Sequence, residues 1–315
     1  MKIINLNDSW TLSFRDPRSQ TFHSIPAQVP GNVLGDLQRA GMIPDPYFGN
    51  NSDALRPYEF IDWEYRTTFT APVPGERESV QLLFEGIDTV AEIILNAREI
   101  GRTANMFIEH RVDVEREWLL PGENELVIRI KSPVNYARQF QTVPYNRVNN
   151  NYCYESLFVR RPMHTYGWDI APRLVGAGLW RPVSLEILAP ERWTDLYLAT
   201  VDVSDRTAML QLCWNFTTDA VDLMDYEAHF VLQCGDHCVE DRFPLHFTAG
   251  AREITVENPK LWFPRGTGEP NLYTVTLELI HHGLTVDTRS WKTGIRTIEL
   301  KLTETLDETG YGDFV

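Results

Sequence analysis

Trp63-Glu64-Tyr65-Arg66-Thr67-Thr68-Phe69 puts Trp63, Tyr65 and Phe69 on one parity and Glu64, Arg66 and Thr68 on the other. Successive side chains of an extended chain point to opposite faces, so this stretch reads as a strand with one face in a core and the other in water. The same two-residue period spreads outward from it. Upstream lies Trp10-Thr11-Leu12-Ser13-Phe14, and downstream lie Leu126-Val127-Ile128-Arg129-Ile130 and Val183-Ser184-Leu185-Glu186-Ile187. Further on, Leu210, Leu212, Trp214 and Phe216 alternate with Gln211, Cys213 and Asn215, and Tyr273, Val275, Leu277 and Leu279 alternate with Thr274, Thr276 and Glu278. The pattern predicts an all-β protein.

A chain of 315 residues exceeds one ordinary core and suits two domains. Ala189-Pro190-Glu191-Arg192-Trp193 marks the boundary, and the short alternating strands after it suit an immunoglobulin-like sandwich. A single short helix is expected from Val33 to Ala40. Asn32 is its N-cap, Val33, Leu34, Leu37 and Ala40 form its apolar stripe, and Gly41 ends it. Pro44 to Asn51 forms a rigid loop carrying Tyr47 and Phe48. Pro133 to Asn151, with Gln141, Pro144 and Asn149-Asn150-Asn151, is polar and irregular, and a loop of that length in a compact domain is usually functional or mobile.

The composition excludes several function classes. A net charge of −15 repels phosphate backbones and anionic membranes, which argues against nucleic acid and membrane partners. No apolar run is long enough to span a bilayer. The first residues, Met1 to Asp8, hold no signal-peptide core, so a cytoplasmic location is expected, or a periplasmic or secreted one if an export signal was removed. Four cysteines do not make a disulfide scaffold in a chain this long. Cys234 and Cys238, with His229 nearby, have some of the look of a metal site, but their spacing equally fits two arms of a hairpin around Gly235-Asp236. They read as ordinary thiols, and neither a metal nor a cofactor is expected.

The chemistry-bearing stretch is Tyr166-Gly167-Trp168-Asp169-Ile170-Ala171-Pro172-Arg173, followed by Gly176-Ala177-Gly178-Leu179-Trp180-Arg181-Pro182. Gly167 and Pro172 punctuate a loop that adjacent strands hold. A Trp ring can cover the apolar side of a sugar, and a neighbouring carboxylate can accept hydrogen bonds from two hydroxyls. For an arbitrary Trp-Asp pair the bland alternative is a core indole and a turn-capping carboxylate.

Several motifs in one order carry a family resemblance. They are Val29-Pro30-Gly31, Ile43-Pro44-Asp45-Pro46-Tyr47, Trp63-Glu64-Tyr65-Arg66 with Phe69, Asn105-Met106-Phe107, the Trp-Asp loop with Gly178-Leu179-Trp180-Arg181-Pro182-Val183, Leu261-Trp262-Phe263-Pro264 with Asn271-Leu272-Tyr273, and Trp291 to Arg296. Together they resemble the N-terminal region of glycoside hydrolase family 2, particularly its β-mannosidases, from Trp10 to about Arg296. That family's loop usually reads Gly-Trp-Asp-Trp-Gly-Pro-Arg, and this chain departs from it at Ile170 and Ala171. Its usual Asn-Gly hairpin turn is Asn96-Ala97 here, which predicts a longer or strained turn.

The resemblance implies a jelly-roll, galactose-binding-like sandwich over residues 1–190, an immunoglobulin-like sandwich over 191–300, and at 301–315 the start of a linker to a (β/α)₈ barrel. In such enzymes the barrel carries both carboxylates of a retaining mechanism, about 5 Å apart. Asn124-Glu125 imitates the family's acid motif, but it leaves a Pro-Gly turn inside a β-meander and reads as a solvated strand position. The chain is expected to be the non-catalytic, N-terminal piece of a retaining exo-glycosidase, with terminal β-D-mannose as the partner. Trp168 and Asp169 are the expected substrate contacts, with Arg161 as a weaker one. For Arg160 and Arg161, pairing with acidic neighbours is an equal alternative. A free-standing carbohydrate-binding module, or structural domains of a β-galactosidase or β-glucuronidase, remain as other readings.

Overall fold

The structure, a computed structural model, describes residues 2–141, 153–204, 206–298, 302–306 and 312–314, the last two segments by backbone alone. Pro144 and Asn149-Asn150-Asn151 lie outside the described residues. The chain divides into two units, Met1–Ala189 and Pro190–Val315.

The first unit is a jelly-roll-type sandwich of antiparallel strands. Its larger sheet has six strands in the spatial order Phe22–Ala27, Trp10–Arg15, Trp63–Thr70, Glu123–Ile130, Ala91–Leu95, Arg98–Thr103. Its smaller sheet orders Lys2–Asn5, Val183–Leu188, Ser79–Phe84 and His110–Val114. The alternating parity read from the sequence is the core parity: Trp10, Leu12, Phe14, Trp63, Tyr65, Leu126, Ile128 and Ile130 are all buried in one cluster. Thr67, on the same parity as Tyr65, is also buried, and its hydroxyl lies 3.3 Å from the Asp8 and Ser9 carbonyl oxygens.

The expected helix forms over Val33–Arg39, with the Asn32 side chain accepting the Gly35 amide at 3.0 Å. Its buried stripe differs in one member. Ala40 lies beyond the helix and is exposed, and Asp36 turns inward instead. The Asp36 carboxylate accepts from the Gln28 amide at 3.0 Å, from Tyr65 Oη at 3.3 Å and from Arg39. Burial pushes its carboxyl above the usual range, with these donors opposing the shift. Two further short helices, Asn51–Ala54 and Pro133–Ala137, correct the expectation of a single one. Each is too short to show a helical stripe. The second is set by Ser132, whose hydroxyl caps the Asn135 amide at 3.0 Å ahead of Pro133.

The Asn96-Ala97 turn is strained rather than lengthened. Two residues link Ala91–Leu95 to Arg98–Thr103, with φ of 50° at Asn96 and 64° at Ala97. Asn96 holds this turn through its amide, which donates to Trp118 O at 2.7 Å and Asn124 Oδ1 at 2.8 Å and accepts the Glu125 amide at 2.9 Å. Asn124 is therefore a fully buried structural residue, and Glu125 sits at the surface paired with Arg66.

The second unit is an immunoglobulin-like sandwich. Three strands, Arg192–Val203, Thr207–Thr217 and Ala249–Glu257, form one sheet. Four strands form the other, in the order His237–Pro244, Tyr226–Cys234, Tyr273–His281, Leu284–Thr293. Leu210, Leu212, Phe230, Tyr273, Val275 and Leu277 interlock between them. Cys234 and Cys238 stand on two arms of a hairpin around Gly235-Asp236, and all four cysteines are free thiols. Among the described residues no cluster of three or more His, Cys, Asp and Glu side chains is placed to hold a metal ion.

Candidate functional site

The Trp-Asp stretch is a turn raised on a short 3₁₀ segment, Met163–Tyr166. Gly167 follows at φ 106°, a conformation that side chains with a Cβ rarely adopt, and it redirects the chain outward. The Trp168 amide then donates to Ala171 O at 3.0 Å, and the Ala171 amide donates back to Trp168 O at 3.1 Å. This reciprocal pair leaves Asp169 and Ile170 at the tip. Trp168 is 45% exposed and Ile170 94% exposed, so neither belongs to the core. Asp169 is exposed and has no hydrogen-bond or ion-pair partner among the described residues. An indole face and an uncommitted carboxylate thus stand next to each other at the surface.

Beneath the turn lies a buried charged frame centred on Tyr166, which is wholly buried. The guanidinium carbons of Arg161 and Arg173 each lie 5.4 Å from the Tyr166 ring centroid. Arg173 grips Glu59 through Nε at 3.1 and 3.0 Å and through Nη2 at 2.8 Å, and Nη2 also reaches Glu155 at 2.8 Å. Arg161 donates to Asp88 Oδ2 at 3.1 Å and to Gly176 O at 2.8 Å. Burial works against the Arg173 charge, and its hydrogen bonds to Glu59 and Glu155 more than offset that, raising its pKa. Burial pushes the Asp88 carboxyl up, with the Arg161 charge opposing, and burial likewise raises the Tyr166 hydroxyl.

Glu59 and Glu155 meet at one nitrogen of Arg173, which gives them a superficial likeness to a catalytic carboxylate pair. Both are buried and held by that guanidinium, Glu59 also by Arg56 Nε at 3.1 Å, so they brace the turn from within. Arg161, the weaker of the three expected contacts, requires a correction. Its side chain is 2% exposed and its guanidinium is engaged by Asp88 and Gly176, so it cannot reach a ligand at the surface. Its alternative role, pairing with an acidic neighbour, is the one the structure shows. Sequence reasoning missed Glu59, Asp88 and Glu155 altogether. Each lies in an unremarkable local context, and its partner is far away in the chain. The Asn105-Met106-Phe107 segment also joins this region, since Asn105 bridges Arg160 and the Met106 amide donates to Arg160 O at 3.0 Å.

Residues 10–181 match the family model described as glycosyl hydrolase 2 galactose-binding domain-like, and residues 226–296 match glycosyl hydrolases family 2. The chain belongs to glycosyl hydrolase family 2. Within this family it is similar to Beta-mannosidase B of Thermothelomyces thermophilus, with 33% identity over 305 residues, covering 95% of this chain and 35% of that protein. Beta-mannosidase B of Aspergillus oryzae is 31% identical over 303 residues, covering 94% of this chain and 35% of that protein. Among solved structures, the Beta-D-Mannosidase of Dictyoglomus thermophilum superposes with a TM-score of 0.81 at 31% identity, covering 100% of this chain and 38% of that one. This family 2 chain therefore spans about a third of the length of the relatives it matches. Among its described residues no helix is long and apolar enough to cross a membrane.

Proposed function

We propose that this chain forms the two N-terminal sandwiches of a retaining exo-glycosidase of β-mannosidase type. In this reading residues 1–190 shape the substrate pocket, and a (β/α)₈ barrel outside these residues supplies the nucleophile and the acid–base carboxylate. Terminal β-D-mannose is the substrate. Its apolar ring face lies against Trp168, and Asp169 accepts hydrogen bonds from neighbouring hydroxyls. The observation that carries the reading is the alignment of 94–95% of this chain with proteins named Beta-mannosidase B, over about a third of their length. The exposure of Trp168 beside an unpaired Asp169, on a turn braced by buried ion pairs, supports the choice of contact residues.

The deciding experiment replaces Asp169 by Ala in a protein carrying these domains together with the barrel. A hydrogen bond to a charged group contributes about 1.5–3 kcal/mol, so kcat/KM on an aryl β-mannoside falls roughly tenfold to a hundredfold. Thermal stability stays unchanged, because the exposed carboxylate holds nothing within the fold. Normal kinetics with a lowered melting temperature would make Asp169 a structural residue and sink the contact assignment.

A further inference from the structure

A cleft of about 700 Å³ opens beside the strand Ala91–Leu95 and the short helix Pro133–Ala137. That volume falls within the range of small-molecule sites. Two acidic side chains, Asp62 and Glu92, and two basic ones, Lys131 and Arg102, line it, so the lining charges cancel. With Arg102 paired to Glu99, the charges left open are Asp62, Glu92 and Lys131, a balance that disfavours anionic ligands.

The bonding capacity of this wall is unevenly spent. The Asp62 carboxylate is oriented by the Ser132 amide, which donates to Oδ1 at 2.8 Å. Arg102 is committed to Glu99, through Nε at 2.6 Å and Nη2 at 3.2 Å. The Lys131 ammonium is not committed. It stands 3.8 Å from Asp62 Oδ2 and 3.6 Å from Glu92 Oε1, near enough for attraction and too far for a hydrogen bond to either. A row of acceptor, donor and acceptor is thereby left open along the cleft. A hydroxyl both donates and accepts, so one hydroxyl can accept from the ammonium and donate to a carboxylate. Adjacent hydroxyls extend the same arrangement along the row. Tyr136 adds a partly exposed ring and Gln139 an amide at the same wall.

We propose that this cleft binds a neutral, polyhydroxylated ligand, a short oligosaccharide, through Lys131 set between Asp62 and Glu92 and through the ring of Tyr136. The proposal does not rest on the role assigned to Trp168 and Asp169.

Titration calorimetry on the 315-residue chain tests it, with β-linked mannotriose and cellotriose as neutral probes and trigalacturonate as the charged one. Saturable binding of a neutral trisaccharide is expected, weakened about tenfold or more by Lys131→Met, which removes hydrogen bonds to a charged group. Tyr136→Ala weakens it as well, and trigalacturonate binds less tightly than the neutral probes. Circular dichroism checks the fold of each variant, and if Tyr136→Ala fails to fold, Lys131→Met alone decides. Absence of saturable binding by both neutral trisaccharides overturns the proposal. So does affinity unchanged by Lys131→Met, or preference for trigalacturonate. Binding abolished by Trp168→Ala and untouched by Lys131→Met would assign it to the turn instead.

Discussion

Arg173 and Glu59 lie 114 residues apart in the chain and form three hydrogen bonds between one guanidinium and one carboxylate, at 3.1, 3.0 and 2.8 Å. Arg173 closes the Trp-Asp stretch, and Glu59 belongs to the 3₁₀ segment Arg56–Phe60, just ahead of the central strand Trp63–Thr70. The exposed turn is thus tied to the sandwich core by a buried ionic clamp.

Removing Arg173 should therefore be severe. Arg173→Ala leaves Glu155 buried without a guanidinium and Glu59 with only the half-exposed Arg56, whose Nε lies 3.1 Å away, and breaking a buried pair from one side costs about 3–5 kcal/mol. Urea denaturation of the chain would show this as a fall in the first unit's transition midpoint. Arg173→Lys should recover only part of the loss, because an ammonium cannot reproduce the planar fork that reaches two carboxylates. A loss below about 1 kcal/mol for the alanine variant would mean that water or a rearranged neighbour takes over the clamp.

The Asn96-Ala97 turn offers a gain. A left-handed conformation costs a residue with a Cβ about 1–2 kcal/mol, and glycine gives back part of that through its extra freedom when unfolded. Ala97→Gly should raise the melting temperature of the first unit by about 2 °C. Differential scanning calorimetry reads this directly, and an unchanged or lowered transition would contradict the strain at Ala97.

His229 should give the second unit a pH-dependent contribution. Its Nδ1 lies 2.8 Å from Glu278 Oε2 and its Nε2 lies 2.7 Å from Glu240 Oε1, so the doubly protonated ring satisfies both carboxylates. Hydrogen bonds to Glu278 and then Glu240 raise its pKa above the ordinary 6.5, against a smaller opposing effect of desolvation. A raised folded-state pKa means that protonation favours the fold. The contribution is full below the unfolded value and fades as pH rises through the folded one. Melting temperatures of the parent and His229→Gln chains should differ most on the acid side of neutrality, while Glu240 and Glu278 are still ionised, and converge at alkaline pH. A difference that grows with pH would refute the assignment.

The chain by itself is expected to turn over no aryl β-mannoside. In the proposed function both reacting carboxylates come from the barrel, so nucleophile and proton donor are missing together. Turnover by a preparation shown free of host glycosidases would require a catalytic pair among the residues described above.

What the sequence alone makes legible follows the range of each interaction. Alternation along Trp10–Arg15, Trp63–Thr70 and Glu123–Ile130 is a local property, since each residue's parity alone decides which face it takes. The N-cap at Asn32, the hairpin turn at Asn96-Ala97 and the loop opened by Gly167 were legible for the same reason, each depending on a few adjacent residues. The residues of the Trp-Asp turn could be picked out from their chemistry and their ordered motif. Their exposure could not, because a Trp in a β protein is equally at home in the core, as Trp10 and Trp63 are here.

The sequence by itself thus determined an all-β chain with inward and outward faces assigned strand by strand, because period and turn chemistry act over a few residues. Only the tertiary structure decided what each buried charge would meet. Arg161 became a partner of Asp88, and Glu59 and Glu155 came together on Arg173, because these partners are brought together by the packing of distant segments. A buried charge must find its counter-charge wherever the fold delivers one, and nothing in its own neighbourhood along the chain records where that will be.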